Sequence, residues 1–96
     1  MNYELVDTIL YIGEDESKCV TLFVNLEDNS MWATIKIISE MFDVSQSTVS
    51  RNLKNIFEEG ELDEDSSVGN LTTTAFDGKR YNTRLYNIDA IITYFL

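Results

Sequence analysis

Residues 35–56 read IKIISEMFDVSQSTVSRNLKNI, and the spacing of their apolar residues decides the fold. Ile35, Ile38 and Phe42 recur at helical spacing, which predicts a short helix capped by Thr34. Ser45 can cap a second helix. The apolar residues of that helix again recur at helical spacing. Leu53, Ile56 and Phe57 lie four, seven and eight positions after Val49.

Asp43 and Val44 separate the two helices, so the chain must reverse direction within about three residues. A turn of this kind commonly needs one residue in the left-handed backbone region, where Gly is usual and Asp is tolerated better than most residues. We therefore expect Asp43 in that conformation, and we expect Gly60 to end the second helix. The stretch predicts a helix-turn-helix.

The second helix turns a polar face outward if Val49, Leu53 and Ile56 face the core. That face carries Gln46, Ser47, Ser50, Arg51 and Lys54. Glutamine can form two hydrogen bonds with adenine, arginine can form two with guanine, and serine or lysine can contact phosphate. The pattern favours a DNA-reading helix, and an ordinary amphipathic helix with a solvated polar face is the alternative.

A hairpin is predicted downstream, because residues 71–76 and 79–85 are rich in Thr and Tyr and flank Asp77-Gly78. Asp-Gly between two such runs signals a two-residue type I′ turn, which needs positive φ at both positions.

Three cations belong to this hairpin: Lys79, Arg80 and Arg84. The two-residue turn pairs Arg80 with Ala75 and Arg84 with Leu71, so both arginines project from one face. A hairpin that follows a helix pair can act as a wing and reach the DNA backbone. A plain surface ribbon is the other interpretation.

The remaining segments complete an α+β domain in the order β-β-α-α-β-β-α. Residues 6–12 and 18–26 are predicted strands around a loop, and Asn87 can cap a last helix whose apolar stripe is Ile88, Ile91, Ile92 and Phe95. We predict one domain, 1–96, in five parts: an acidic β-hairpin (1–33), the helix-turn-helix (34–60), an acidic loop (61–69), the wing hairpin (70–86) and a C-terminal helix (87–96).

The composition excludes several classes of function. There is no histidine, which removes His-based catalytic triads and His-containing zinc sites. Cys19 is the single cysteine, so no internal disulfide can form, and we expect the reducing cytoplasm of a bacterial or phage-infected cell. No apolar run approaches the length of a membrane span. We expect no enzyme activity, no cofactor and no metal site.

The net charge of −10 is unevenly distributed. Residues 1–33 carry −6 and residues 58–69 carry −6, whereas residues 34–57 and 70–96 each carry +1. Six of the seven cations lie in the two slightly positive stretches. Such segregation is typical of a local anion-binding face on an acidic protein.

The stretch MWATIKIISEMFDVSQSTVSRNLKNIFEEGELDEDS, together with YNIDAII near the end, resembles the N-terminal domain of the RhuM family of virulence proteins. That family is common on bacterial mobile elements and prophages. The resemblance implies a DNA-binding helix-turn-helix whose reading face is Gln46, Ser47, Thr48, Ser50, Arg51 and Lys54. Members usually continue into a further domain, and we expect none of that domain's activity here.

Two functions remain open. The first is a winged helix-turn-helix protein of a phage or mobile element that binds double-stranded DNA as a homodimer and regulates transcription. The second is an acidic phage-encoded inhibitor, a DNA mimic or anti-CRISPR protein, that occupies the groove of a basic nucleic-acid-binding protein. The acidic surface for that alternative is Glu14, Asp15, Glu16, Glu27 and Asp28.

Overall fold

The computed structural model describes residues 3–11, 15–74 and 76–91. Helix α1 spans Ile35–Phe42 and helix α2 spans Gln46–Glu58. Both predicted caps are confirmed: the Thr34 side chain accepts from the Ile37 N–H at 3.1 Å, and the Ser45 side chain accepts from the Thr48 N–H at 3.1 Å.

The turn between α1 and α2 depends on Asp43, which has φ 55° and ψ 47°, the left-handed conformation that the sequence predicts. The Val44 N–H donates to the Ser39 carbonyl at 3.0 Å, which closes the end of α1. Gly60 ends α2 as expected, with φ 72°. The N–H groups of Gly60 and Glu61 donate to the carbonyls of Phe57 and Ile56, the paired bonds of a Schellman motif.

Five strands form one antiparallel sheet in the order β1-β2-β3-β5-β4. Their bounds are β1 Tyr3–Tyr11, β2 Ser17–Asn25, β3 Met31–Ala33, β4 Val68–Thr74 and β5 Arg80–Asn87. The predicted α+β class is confirmed, but the predicted element order is wrong in omitting β3. This strand has three residues, too few for an alternating pattern, yet it joins the two hairpins through the pairs Phe23↔Trp32 and Ala33↔Tyr86.

The predicted acidic loop 61–69 is also wrong in part. It contains a short helix, α3, over Glu64–Ser67, and β4 begins directly after it at Val68. The Asp63 carbonyl accepts from the Ser67 N–H at 3.1 Å, and the Asp63 side chain accepts from the Asp65 N–H at 3.4 Å. The acidic run therefore begins a helix rather than only connecting two elements.

The predicted two-residue turn at Asp77-Gly78 is wrong. Gly78 has φ 80°, but Asp77 is not in the positive-φ region that a type I′ turn requires, and its carboxylate accepts from the Lys79 N–H at 3.0 Å. In the observed register Arg80 pairs with Thr74 and Arg84 pairs with Asn70. The register differs by one residue from the predicted one, although both arginines remain on one face of β5 because they are four residues apart.

Helix α4 begins at Ile88, and the Asn87 side chain accepts from the Ala90 N–H at 3.1 Å, as predicted for a cap. Ile88 and Ile91 are buried. The other two residues of the predicted stripe, Ile92 and Phe95, lie outside the described residues.

The main core lies between the helices and one face of the sheet. Its buried members are Leu22, Ala33, Ile38, Met41, Val49, Leu53, Tyr86, Ile88 and Ile91. Trp32 is buried as well, in edge contact with the Tyr3 ring at a centroid distance of 6.1 Å, and its indole N–H donates to the Ser30 hydroxyl at 2.7 Å. No helix in the described part of the chain is long and apolar enough to cross a membrane.

Candidate nucleic-acid interface

The outward face of α2 is held in place by the residues beneath it. Val49, Leu53 and Ile56 are buried against the core, as their spacing predicts. Five polar residues of the same helix are exposed: Gln46, Ser47, Ser50, Arg51 and Lys54. A helix fixed on its apolar side presents these side chains from a rigid support, which suits recognition of a fixed target.

Thr48 does not belong to that exposed face. Its hydroxyl lies 2.8 Å from the Ser45 hydroxyl, and the side chain is half-buried. Thr48 therefore stabilises the first turn of α2 together with the cap residue. Its implied role as a reading residue is a prediction that this geometry does not support.

A groove of about 330 Å³ lies between α2 and β5. Helix α2 contributes Ser50, Lys54 and Glu58, strand β5 contributes Arg84, and α3 contributes Glu64. The described structure thus brings two of the predicted DNA-binding cations, one from the helix and one from the hairpin, to the same groove. They come from positions 30 residues apart in the sequence.

Arg84 is held by two neighbours rather than left free. Its Nη2 donates to Glu64 Oε1 at 2.7 Å, and its guanidinium lies 5.6 Å from the centre of the Tyr86 ring. The Tyr86 ring stacks on Phe57 with the planes 18° apart. Burial raises the pKa of Tyr86, while the nearby Arg84 opposes that rise, so the phenol stays protonated at neutral pH.

Lys54 has a weaker acidic neighbour in the same groove. Its Nζ lies 3.9 Å from Glu58 Oε1, one helical turn further along α2, and both side chains are well exposed. Exposed pairs of this kind contribute little to stability because water screens them. Lys54 can therefore bind an incoming anion at a small cost in free energy, whereas Arg84 must first break its ion pair with Glu64.

The tip of the β4–β5 hairpin carries two further predicted DNA-binding cations. Lys79 and Arg80 are exposed, and the neighbouring Phe76 side chain is fully exposed. Together with Arg51 they make no ion pair with any other described residue. Among the predicted DNA-binding cations, these three can neutralise phosphate without breaking an ion pair within the described residues.

The acidic residues of the inhibitor hypothesis do not form one surface. Asp15 and Glu16 precede β2, whereas Glu27 and Asp28 follow it, and nine residues of strand separate the two pairs by roughly 27 Å. Glu14 lies outside the described residues. Asp28 has a structural task, since the N–H and hydroxyl of Ser30 donate to it at 2.9 and 2.6 Å and lower its pKa.

Sequence reasoning missed Glu64, Phe57 and Tyr86 as parts of the groove. No local pattern links Glu64 to Arg84, which lies 20 residues further along the chain. Phe57 and Tyr86 have the composition of ordinary core residues, and only their stacking beneath Arg84 connects them to the site.

No cluster of three or more cysteine, aspartate or glutamate side chains that could hold a metal ion occurs within residues 3–11, 15–74 and 76–91. No family model, curated protein or solved structure matches this chain. The resemblance to the RhuM family therefore stays a prediction from the quoted residues.

Proposed function

We propose that this chain is a small DNA-binding protein built as a winged helix-turn-helix, in which α2 enters the major groove and the β4–β5 hairpin is the wing. One observation carries the proposal. Lys54 of α2 and Arg84 of β5 line the same groove, and the free cations Arg51, Lys79 and Arg80 lie on α2 and on the β4–β5 hairpin. An exposed polar helix beside a basic hairpin fits the combination of base reading and backbone contact.

The roles follow from the chemistry of each side chain. Gln46 and Arg51 are exposed on α2 and suit base edges, because glutamine pairs with adenine and arginine with guanine. Ser47, Ser50 and Lys54 suit phosphate contacts that fix the helix in register. Lys79 and Arg80 of the wing contact the backbone beside the major groove. The regulated gene would belong to a phage or mobile element, in agreement with the RhuM resemblance.

The net charge of −10 lowers the affinity for DNA but does not prevent binding. At physiological salt the Debye length is about 8 Å, so acids far from the contact surface are screened. The β1–β2 hairpin carries several of the acids and is separate from the α2 and β5 groove. We expect slow association, with affinity supplied by specific contacts.

Fluorescence anisotropy tests the proposal directly. The purified chain is titrated onto labelled duplexes from around its own gene, with an unlabelled duplex of scrambled sequence as competitor. We expect saturable binding to at least one duplex that the scrambled competitor does not displace. Equal competition by the scrambled duplex would contradict sequence-specific regulation.

Replacing Glu64 by glutamine should tighten DNA binding. The substitution removes a negative charge from the groove and releases Arg84 from its 2.7 Å ion pair, leaving the guanidinium free for phosphate. An exposed pair is worth up to about 1 kcal/mol, so we expect about a fivefold gain in affinity and a steeper salt dependence. Anisotropy titrations of both proteins at several salt concentrations measure this gain.

The matched control is Glu16→Gln, which removes the same charge from the loop before β2. We expect its affinity to equal that of the unmodified chain. Equal tightening by both variants would mean that total charge, rather than release of Arg84, is responsible.

A further inference from the structure

Strand β1 has an open edge. It is the first strand in the order β1-β2-β3-β5-β4, and within the described part of the chain no strand pairs with its outer side. Its nine residues, YELVDTILY, include no lysine and no proline, which commonly protect an edge strand from pairing with another chain, and their charged side chains are Glu4 and Asp7. Its outward N–H and C=O groups are therefore able to pair with an added strand.

The side chains of β1 distinguish it from the other edge strand. Leu5, Ile9 and Tyr11 share one face and are 59%, 61% and 79% exposed. The exposed residues of β4, in contrast, are polar: Asn70, Thr72 and Thr74. The apolar edge of the sheet is thus the β1 edge. An extended strand that pairs with it removes apolar surface from contact with water, which is favourable.

We propose that β1 pairs antiparallel with β1 of a second copy of this chain, about a two-fold axis that passes through Thr8. This register places Leu5 opposite Tyr11 of the second copy and, by symmetry, Tyr11 opposite Leu5. It places Asp7 opposite Ile9, so no acid on this face lies directly opposite another acid. Shifting the axis to Asp7 would bring the two Asp7 carboxylates together and repel the chains.

A two-fold pairing is self-complementary because each cross-strand pair occurs twice. The pairing joins two five-stranded sheets into one continuous sheet. It uses no residue of the α2 and β5 groove, and it stands whether or not the chain binds DNA.

The register can be tested at Ile9 with two opposite charges. Ile9→Lys places lysine opposite Asp7 of the second copy, so the dimer should persist or tighten. Ile9→Asp places two acids opposite each other, twice by symmetry, so the dimer should weaken roughly tenfold. Sedimentation equilibrium of the full chain over a wide concentration range measures the dissociation constant of each protein, and circular dichroism checks that each remains folded.

Phe76→Lys and Phe76→Asp are the matched controls, since they make the same charge changes at an exposed apolar residue of the wing tip. We expect both to dimerise like the unmodified chain. A monomeric unmodified chain at every concentration would overturn the proposal, including the case in which β1 takes a strand from a different protein. Equal weakening of the dimer by Ile9→Lys and Ile9→Asp would also overturn it. A non-specific apolar association is weakened by a charge of either sign, whereas the proposed register is weakened only by the acid.

Discussion

The double variant Arg51→Ala/Lys54→Ala is expected to lose DNA binding by about a hundredfold or more at physiological salt. In the proposed complex Arg51 would supply a base contact worth roughly 1–3 kcal/mol, and Lys54 would supply a phosphate contact that adds to it. Both side chains are exposed on α2, and truncating them leaves the buried side of the helix intact. The fold should be unchanged, so the loss reports recognition rather than unfolding.

Lys18→Ala/Lys36→Ala is the matched control for that experiment. It removes the same number of positive charges, one from β2 and one from α1, and both lie beside a different groove. Anisotropy titrations of both double variants at equal salt separate a specific face from total charge. If the control loses as much affinity as the α2 variant, α2 is not the recognition helix.

Ile38→Ala is expected to destabilise the fold by about 3 kcal/mol. Ile38 is fully buried in α1, within the cluster that joins the helices to the sheet. Alanine leaves a cavity that the surrounding helices and strands cannot fill. In a domain of this size each kcal/mol shifts the melting temperature by about 4–8 °C, so it should fall by roughly 12–24 °C.

Chemical denaturation with urea measures this change as a lower midpoint with an unchanged slope. Leu26→Ala is the matched control, because Leu26 is 54% exposed at the end of β2 and its truncation should cost little. Equal losses from the two variants would contradict the placement of the core between α1 and the sheet.

The features that the sequence predicts correctly are local ones. Caps at Thr34, Ser45 and Asn87 depend on a side chain and a backbone N–H three residues away, so a short stretch contains all the information. Asp43 and Gly60 adopt positive φ, which Gly and, to a lesser degree, Asp tolerate better than most residues. The buried face of α2 follows in the same way from helical spacing.

The features that the sequence does not predict depend on contacts between distant segments. Strand β3 is identified as a strand by its partners, Phe23 on one side and Tyr86 on the other. The hairpin register depends on Asp77, whose carboxylate bonds to the Lys79 N–H instead of leaving Asp77 in a type I′ turn. One residue of difference changes which side chains lie opposite each arginine.

In the candidate site, too, the local features are predictable and the contacts between distant segments are not. Arg51 and Lys54 are predictable because they lie opposite the apolar side of a helix. The ion pair of Arg84 is not predictable, because Glu64 reaches it only once α3 packs against β4, the strand that pairs with β5. Arg84, which the sequence alone suggests is unpaired, is therefore ion-paired. Whether it can bind an anion depends on Glu64, 20 residues away.

The salt dependence of DNA binding tests most directly that α2 and the hairpin form one DNA-binding face. The affinity of the unmodified chain, of Lys54→Ala and of Arg80→Ala is measured by anisotropy over a series of salt concentrations. We predict saturable binding that weakens with salt, and a slope of log K against log salt reduced by about 0.9 in each variant, because each loses one phosphate contact. No binding by the unmodified chain even at low salt would contradict the DNA-binding proposal, and a reduced slope in only one variant would contradict the shared face.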